Sequence, residues 1–233
     1  MQIVPVIDIR NGVAVRAVAG ARASYAPLET PLAATSDPLD VARGMMALHS
    51  FEAIYIADLD AIERRGSNKA IVGAIADAIT PARLWLDAGF TRALDAAAWR
   101  AVETVDLVFG SETLDSAGAG AALRDDPRAI LSLDFSSAGF LGDPRLNAND
   151  SFWPNRLIVM TLARVGARQG PDVARFQDIS ARAGERRVHA AGGVRGLDDL
   201  LVLKEAGAAG ALVATALHEG RLTRADLEAL AGC

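Results

Sequence analysis

Five side chains stand where chemistry can be built on them. They are Asp8 in "PVIDIR", Asp58 in "YIADLD", Asp87 in "LWLDAG", Asp134 in "LSLDFS" and Thr161 in "VMTLAR", each closing a short apolar run. Asp8 and Asp134 hold equivalent places in two similar halves of the chain, so they are expected to face one another. Two opposed carboxyl groups suit acid–base work: one protonates a leaving or ring oxygen while the other removes a proton from carbon. That division requires surroundings that push their pKa values apart near neutral pH. A lone Asp at a strand end is as readily a loop cap; the symmetric pair favours chemistry.

A second pair of segments raises a question of charge. "LWLDAGFTR" (84–92) and "VHAAGGVRG" (188–196) share an apolar run, an Ala-Gly step and an Arg three residues beyond the Gly. Gly192-Gly193 in the second copy lets a backbone close on a phosphate, whereas the first copy opens with the carboxylate of Asp87.

The elements that must position these residues follow from hydrophobic pattern. Residues 2–8, 53–58, 83–87, 105–109, 129–134, 156–161, 187–191 and 210–214 are apolar runs of strand length. They lack polar alternation, as parallel strands buried on both faces do. Helical stretches lie between them, the last opening with Thr223 and Asp226 in a capping-box pattern. Strands alternating with helices predict an α/β fold, a single (βα)8 TIM barrel over residues 1–233, with half-barrels 1–125 and 126–233. Matching strands 1–4 to strands 5–8 pairs Asp8 with Asp134, Ala57 with Thr161, Gly89 with Gly192 and Gly110 with Ala214, at offsets of 126, 104, 103 and 104. The first offset differs because "FSSAGFLGDPRLNANDSFWPN" in the fifth unit is short and rich in Gly, Pro and Asn. It predicts a two-fold half-barrel repeat with the fifth helix short or absent.

Composition narrows the classes of partner. The 233 residues are 51% hydrophobic and carry a formal charge of −5, which argues against nucleic acid as a partner. Cys233 is the single cysteine, so neither a disulfide framework nor a cysteine metal site fits within one chain. No charged leader or apolar run of about 20 residues is present, and a cytoplasmic protein without membrane attachment is expected. His49, His189 and His218 are scattered without metal-ligand spacing. His189, inside a strand, reads as a packed barrel residue, and Asp58 with Asp60 reads as structural anchoring.

The segments "PVIDIRNGVAVR", "SDPLDVA", "YIADLDAI" followed by Asn68, "VFGSETL", "SLD" and "AAGGVRG" resemble the HisA branch of the histidine-biosynthesis barrels, from the first strand to the last. The resemblance implies an Amadori rearrangement of an aminoaldose phosphate to an aminoketose, with no metal or organic cofactor. It implies Asp8 as the base at the sugar C2, Asp134 as the acid that helps open the furanose ring, and Thr161 as their assistant. The family's substrate carries two phosphates, one for each half-barrel. Gly192, Gly193, Ala214 and Thr215 match the second phosphate site, although the family usually has Gly-Arg where this chain has Ala214-Thr215.

The first-half site departs further. The family has Gly-Gly-Gly where this chain has Asp87-Ala88-Gly89, and Glu112 joins the retained Gly110-Ser111. A carboxylate ~4 Å from a phosphate charge is repelled by about 4 kcal/mol at an effective dielectric near 20. A charged hydrogen bond returns only ~1.5–3 kcal/mol. Unless Arg92 neutralises Asp87 or Asp87 is buried and protonated, this half is expected to receive a neutral, hydroxylated or cationic group. The family's acidic loop after strand 6 is replaced by "LARVGARQG", with Arg164 and Arg168. Trp153 is open between covering the substrate and plugging the base of its loop. The first expectation is a HisA-type isomerase of a phosphorylated small molecule. The resemblance also admits a HisA-related paralogue acting on a monophosphorylated metabolite, for example in methanopterin-type one-carbon cofactor metabolism. A non-catalytic phosphate-ligand binding barrel is the third reading.

Overall fold

Eight parallel strands form a closed ring in the computed structural model, which describes residues 1–18 and 20–231. They are β1 (Gln2–Arg10), β2 (Ala53–Asp58), β3 (Arg83–Asp87), β4 (Val105–Gly110), β5 (Ala129–Ser136), β6 (Arg156–Thr161), β7 (Arg187–Ala191) and β8 (Gly210–Val213). Each pairs with the next, and β8 returns to β1 through Gln2–Gly210 to Pro5–Val213. Cys233 lies outside the described residues.

Every residue of β2 and β4 is buried, which is why these strands read as continuous apolar runs. Inward side chains such as Val4, Tyr55, Trp85, Val108, Ile130, Ile158 and Leu212 fill the barrel, and a larger apolar layer lies between strands and helices. His189 belongs to the inner fill: it lies edge-on to Trp85 at 5.0 Å and its ring nitrogens meet Leu157 O and Gln2 Oε1. The lower end of the barrel is tied by Asp106, which accepts hydrogen bonds from Arg83 at 2.7 and 2.8 Å and from Arg156 at 2.7 Å.

The helices are set by local signals. The helix Pro38–Leu48 has Pro at its first position and Asp37 as its cap, accepting from the N–H groups of Leu39 and Asp40. Val173–Ala183 is capped by Asp172 and stopped by Gly184 at φ 61°. Thr223 and Asp226 exchange hydrogen bonds as a capping box before Arg224–Ala231. The fifth crossover holds a small hairpin, the five-residue helix Pro144–Ala148 and a 3-10 turn, so the fifth helix is present but short. Trp153 plugs its base: it is fully buried and its indole N–H donates to Leu146 O at 2.6 Å.

The strand ladder corrects the internal match by one residue. Asp8 is level with Ala57 and Asp134 with Met160, so Met160 is the counterpart of Ala57, and Thr161 the counterpart of Asp58. Ala57 likewise lies beside Asp87 and Met160 beside Ala191, which makes Gly193 the counterpart of Gly89. Because side chains alternate along a strand, a one-residue shift exchanges inner and outer faces. Sequence offsets of 103 and 104 could not resolve that step.

Candidate active site

The strands' C-terminal ends surround an open-mouthed cavity. Asp8 and Asp134 both line it, from β1 and β5, which stand opposite one another in the ring. Asp87 and Glu112 line it from the first half; Gly192, Gly193, Ala214 and Thr215 line it from the second. Thr161 is buried at the end of β6 between the lining residues Met160 and Leu162.

Asp134 is held on several sides. Its Oδ1 accepts from Ser132 Oγ at 2.6 Å, and its Oδ2 accepts from Glu112 N–H at 3.2 Å and lies 3.3 Å from Ser111 Oγ. Ser111 is fully buried and accepts the Asp134 N–H at 2.9 Å, so it orients β5 rather than facing the cavity. A Cβ on Gly110 would stand 3.1 Å from Asp134 Oδ2 and 3.6 Å from Asp87 Oδ2. Gly110 therefore makes room for two carboxyl groups that converge on it. Gly89 is demanded by packing, since its φ is 64° and a Cβ would meet Ile62 Cα at 2.7 Å.

These carboxyls are strongly perturbed. Burial pushes Asp8 up to about 7, opposed by the charge of Arg22 and assisted by that of Asp87. Asp134 is also pushed up to about 7 by burial; the Ser132 hydrogen bond opposes this, and the charges of Glu112 and Asp87 add to it. Asp87 is pushed up to about 6 by burial, with the Gly89 N–H pulling the other way. The expected separation between Asp8 and Asp134 is thus absent: both titrate around neutrality. Tyr55, whose hydroxyl donates to Asp87 Oδ2 at 3.2 Å, is held well above the usual phenol range by burial and by the surrounding carboxylates.

Asp87 is not neutralised by Arg92, which pairs with Asp115 at 3.3 Å. The cation at this end is Arg22, from the long loop that follows the short strand Val13–Val15. Arg22 lines the cavity and pairs with Glu112 at 2.5 Å, joining the β1 and β4 loops across the mouth. No spacing in the sequence marked it, because loop closure is a tertiary event.

At the second-half end, Gly192 and Gly193 adopt φ of 101° and 91°, and a Cβ on Gly193 would strike Gly170 O at 2.2 Å. Backbone packing demands these glycines as well as any ligand. Arg168, Arg195 and Arg221 line this end. Asp58 and Asp60 hold Asn68, whose Nδ2 donates to them at 2.7 and 2.9 Å, so this pair anchors a loop. Among the described residues no group of three or more His, Cys, Asp or Glu side chains could hold a metal ion, and no helix is long and apolar enough to cross a membrane.

Known proteins share this plan. The histidine biosynthesis protein family matches residues 2–143 and 150–223, leaving out the stretch that holds the short helix Pro144–Ala148. An uncharacterized protein of Methanocaldococcus jannaschii is 30% identical over 98% of this chain and 96% of its own length. A phosphoribosyl imidazole-4-carboxamide isomerase of Thermococcus kodakarensis is 29% identical over 100% of this chain and 98% of its own. One of that name from Myxococcus xanthus is 30% identical over 94% of each. With its closed (βα)8 ring and a match spanning almost the whole chain, this protein belongs to the histidine biosynthesis protein family, among its HisA-like isomerases.

Proposed function

We propose that the protein catalyses an Amadori-type aldose-to-ketose rearrangement of a phosphorylated small molecule, with Asp8 as base and Asp134 as acid. The observation that carries it is the pair itself: two carboxyls on opposite strands, facing one cavity and both drawn to about 7. Near neutral pH such a pair shares about one proton, which supplies one acid and one base. Their neighbours bias the roles. Arg22 favours the ionised form of Asp8 and Glu112 the protonated form of Asp134, while Asp87 favours the protonated form of both. Asp134 then protonates the ring oxygen, and Asp8 removes the proton from the sugar C2. Thr161 supports the second-half wall, and the backbone around Gly192, Gly193, Ala214 and Thr215 receives the phosphate. The test is turnover of the aminoaldose ribotide on which the named relatives act, with Asp8→Asn as control. Conversion by the wild type and its loss in the variant supports the assignment; no turnover by well-folded wild type rejects that substrate.

A second reading, a substrate with a single phosphate, is favoured by Glu112 and Asp87 at the first-half end. Their nearby cation, Arg22, is already paired with Glu112. A second phosphate there meets more negative than positive charge. Calorimetric titration with the bisphosphate ribotide and, separately, ribose 5-phosphate decides: micromolar binding of the bisphosphate refutes the single-phosphate reading, and binding of only the monophosphate supports it.

A further inference from the structure

The second-half end of the cavity contains an excess of positive charge that family resemblance does not supply. Arg168 comes from the loop after β6, and Arg221 from the turn after the helix Thr215–His218; both line the cavity. Behind them, one carboxylate serves three guanidinium groups. Glu219 accepts from Arg16 and from Arg168 at 2.5 Å each, and also from Arg221. Arg168 and Arg221 line the cavity whereas Arg16 does not, so two guanidiniums at the wall draw on one carboxylate that Arg16 also uses. Arg195, in contrast, is spent: its Nε and Nη2 both donate to Asp199, at 2.9 and 2.7 Å. Arg164 turns to Gln169 O and does not line the cavity.

The backbone shows that Arg168 is placed, not merely tolerated. It adopts φ 55°, a left-handed conformation that a residue with a Cβ rarely takes, between Gly166 at φ 65° and Gly170 at φ 80°. Gly166 lies against Ala17 and Gly170 against Gly193, so the loop is wedged between the β1 and β7 loops. In that position Arg168 lines the cavity that Gly193 also lines.

We infer that Arg168 and Arg221 are the phosphate-binding cations of the second-half site, replacing the Arg missing after β8, and that Glu219 positions them. The inference rests on the phosphate reading of that end. Both guanidiniums keep donors beyond those engaged by Glu219, and a planar fork of N–H groups suits a phosphate monoester dianion. A plain loop staple would also use these ion pairs, but it would have no reason to turn two guanidiniums that share one carboxylate toward a glycine-lined hollow.

The experiment is calorimetric titration with inorganic phosphate and with ribose 5-phosphate. It compares wild type, Arg168→Gln, Arg221→Gln and the charge-preserving Arg168→Lys, with melting temperature recorded for each. Each Gln variant is expected to weaken both ligands about tenfold, the loss of one charged hydrogen bond. Each should also flatten the dependence of Kd on salt. Arg168→Lys should restore most of the affinity. If wild type binds phosphate and the Gln variants bind it equally well, the cation assignment is overturned while the phosphate site stands. If wild type binds neither ligand, the phosphate reading falls, and this inference with it. A Gln variant that melts early yet binds with wild-type affinity marks a staple and also overturns the assignment.

Discussion

Replacing Asp87 by Asn should make the protein more stable, and by an amount that depends on pH. Asp87 is 9% exposed, and its carboxyl is raised from 3.8 to about 6, chiefly by burial. Roughly two units correspond to about 3 kcal/mol of differential stabilisation, at 1.36 kcal/mol per unit. The sign follows from linkage: a raised folded-state pKa contributes stability that is fully present below 3.8 and lost as pH rises through about 6. Wild type therefore bears the cost above neutrality and little of it at pH ~4. Asn keeps an oxygen for the Gly89 N–H and a polar partner for the Tyr55 hydroxyl, so most of the local bonding survives. Allowing for the buried amide, a gain of about 2 kcal/mol is expected near pH 8, or roughly 4–8 °C in Tm for a chain of this size. Loss of the Asp87 charge also relieves Asp8 and Asp134, which adds in the same direction. Thermal melts of both proteins from pH ~4 to ~8 measure it. A Tm difference that is flat with pH, or a variant less stable at pH ~8, would refute the reasoning.

Other substitutions separate chemistry from scaffold. Asp8→Asn should lower kcat by about 10²–10⁴ while ligand binding, read by calorimetry, is retained; wild-type kcat would remove Asp8 from the chemistry. Arg22→Gln takes away the charge that favours ionised Asp8, so the acidic limb of the kcat/KM profile should move to higher pH, and an unmoved limb denies that coupling. Gly193→Ala places a Cβ 2.2 Å from Gly170 O at φ 91° and should cost at least about 2 kcal/mol in denaturant melts. Asp106→Asn leaves Arg83 and Arg156 unmatched and should cost about 3 kcal/mol near neutrality. Because Asp106 is held below the usual carboxylate range, that deficit should shrink as pH falls, with kcat unchanged.

The ring of strands was legible because parallel strands buried on both faces leave continuous apolar runs, and because the shortened fifth unit is spelled in Gly, Pro and Asn. Asp8, Asp87 and Asp134 were legible because each closes an apolar run at a strand end and reaches the barrel mouth, although Asp58, which also closes one, turns instead to Asn68. What failed was finer than a residue or longer than a loop. Ala57 was matched to Thr161 instead of Met160 because the offset drifts by one, which only the ladder corrects. Arg92 was the nearest cation to Asp87 in sequence, but its partner is Asp115, and the relevant cation is Arg22, which arrives on a loop. The trio on Glu219 was invisible because its members come from the β1, β6 and β8 loops, which the ring alone brings together.

The charge asymmetry of the cavity answers a problem that its symmetry creates. A barrel built of two like halves, with Asp8 opposite Asp134, offers a ligand two orientations related by the internal two-fold. In one of them the base faces the wrong carbon. Glu112 and Asp87 make one end negative, and Arg168 and Arg221 make the other positive, so a phosphorylated substrate has one favourable direction. The same field biases two carboxyls that both lie at about 7. Arg22 draws Asp8 down and Glu112 pushes Asp134 up, while Asp87 pushes up both. Orientation of the substrate and the bias between acid and base thus share one cause. Reversing the charge at residue 112 should disturb both, whereas a change confined to Arg168 should disturb binding and leave the pH limbs in place.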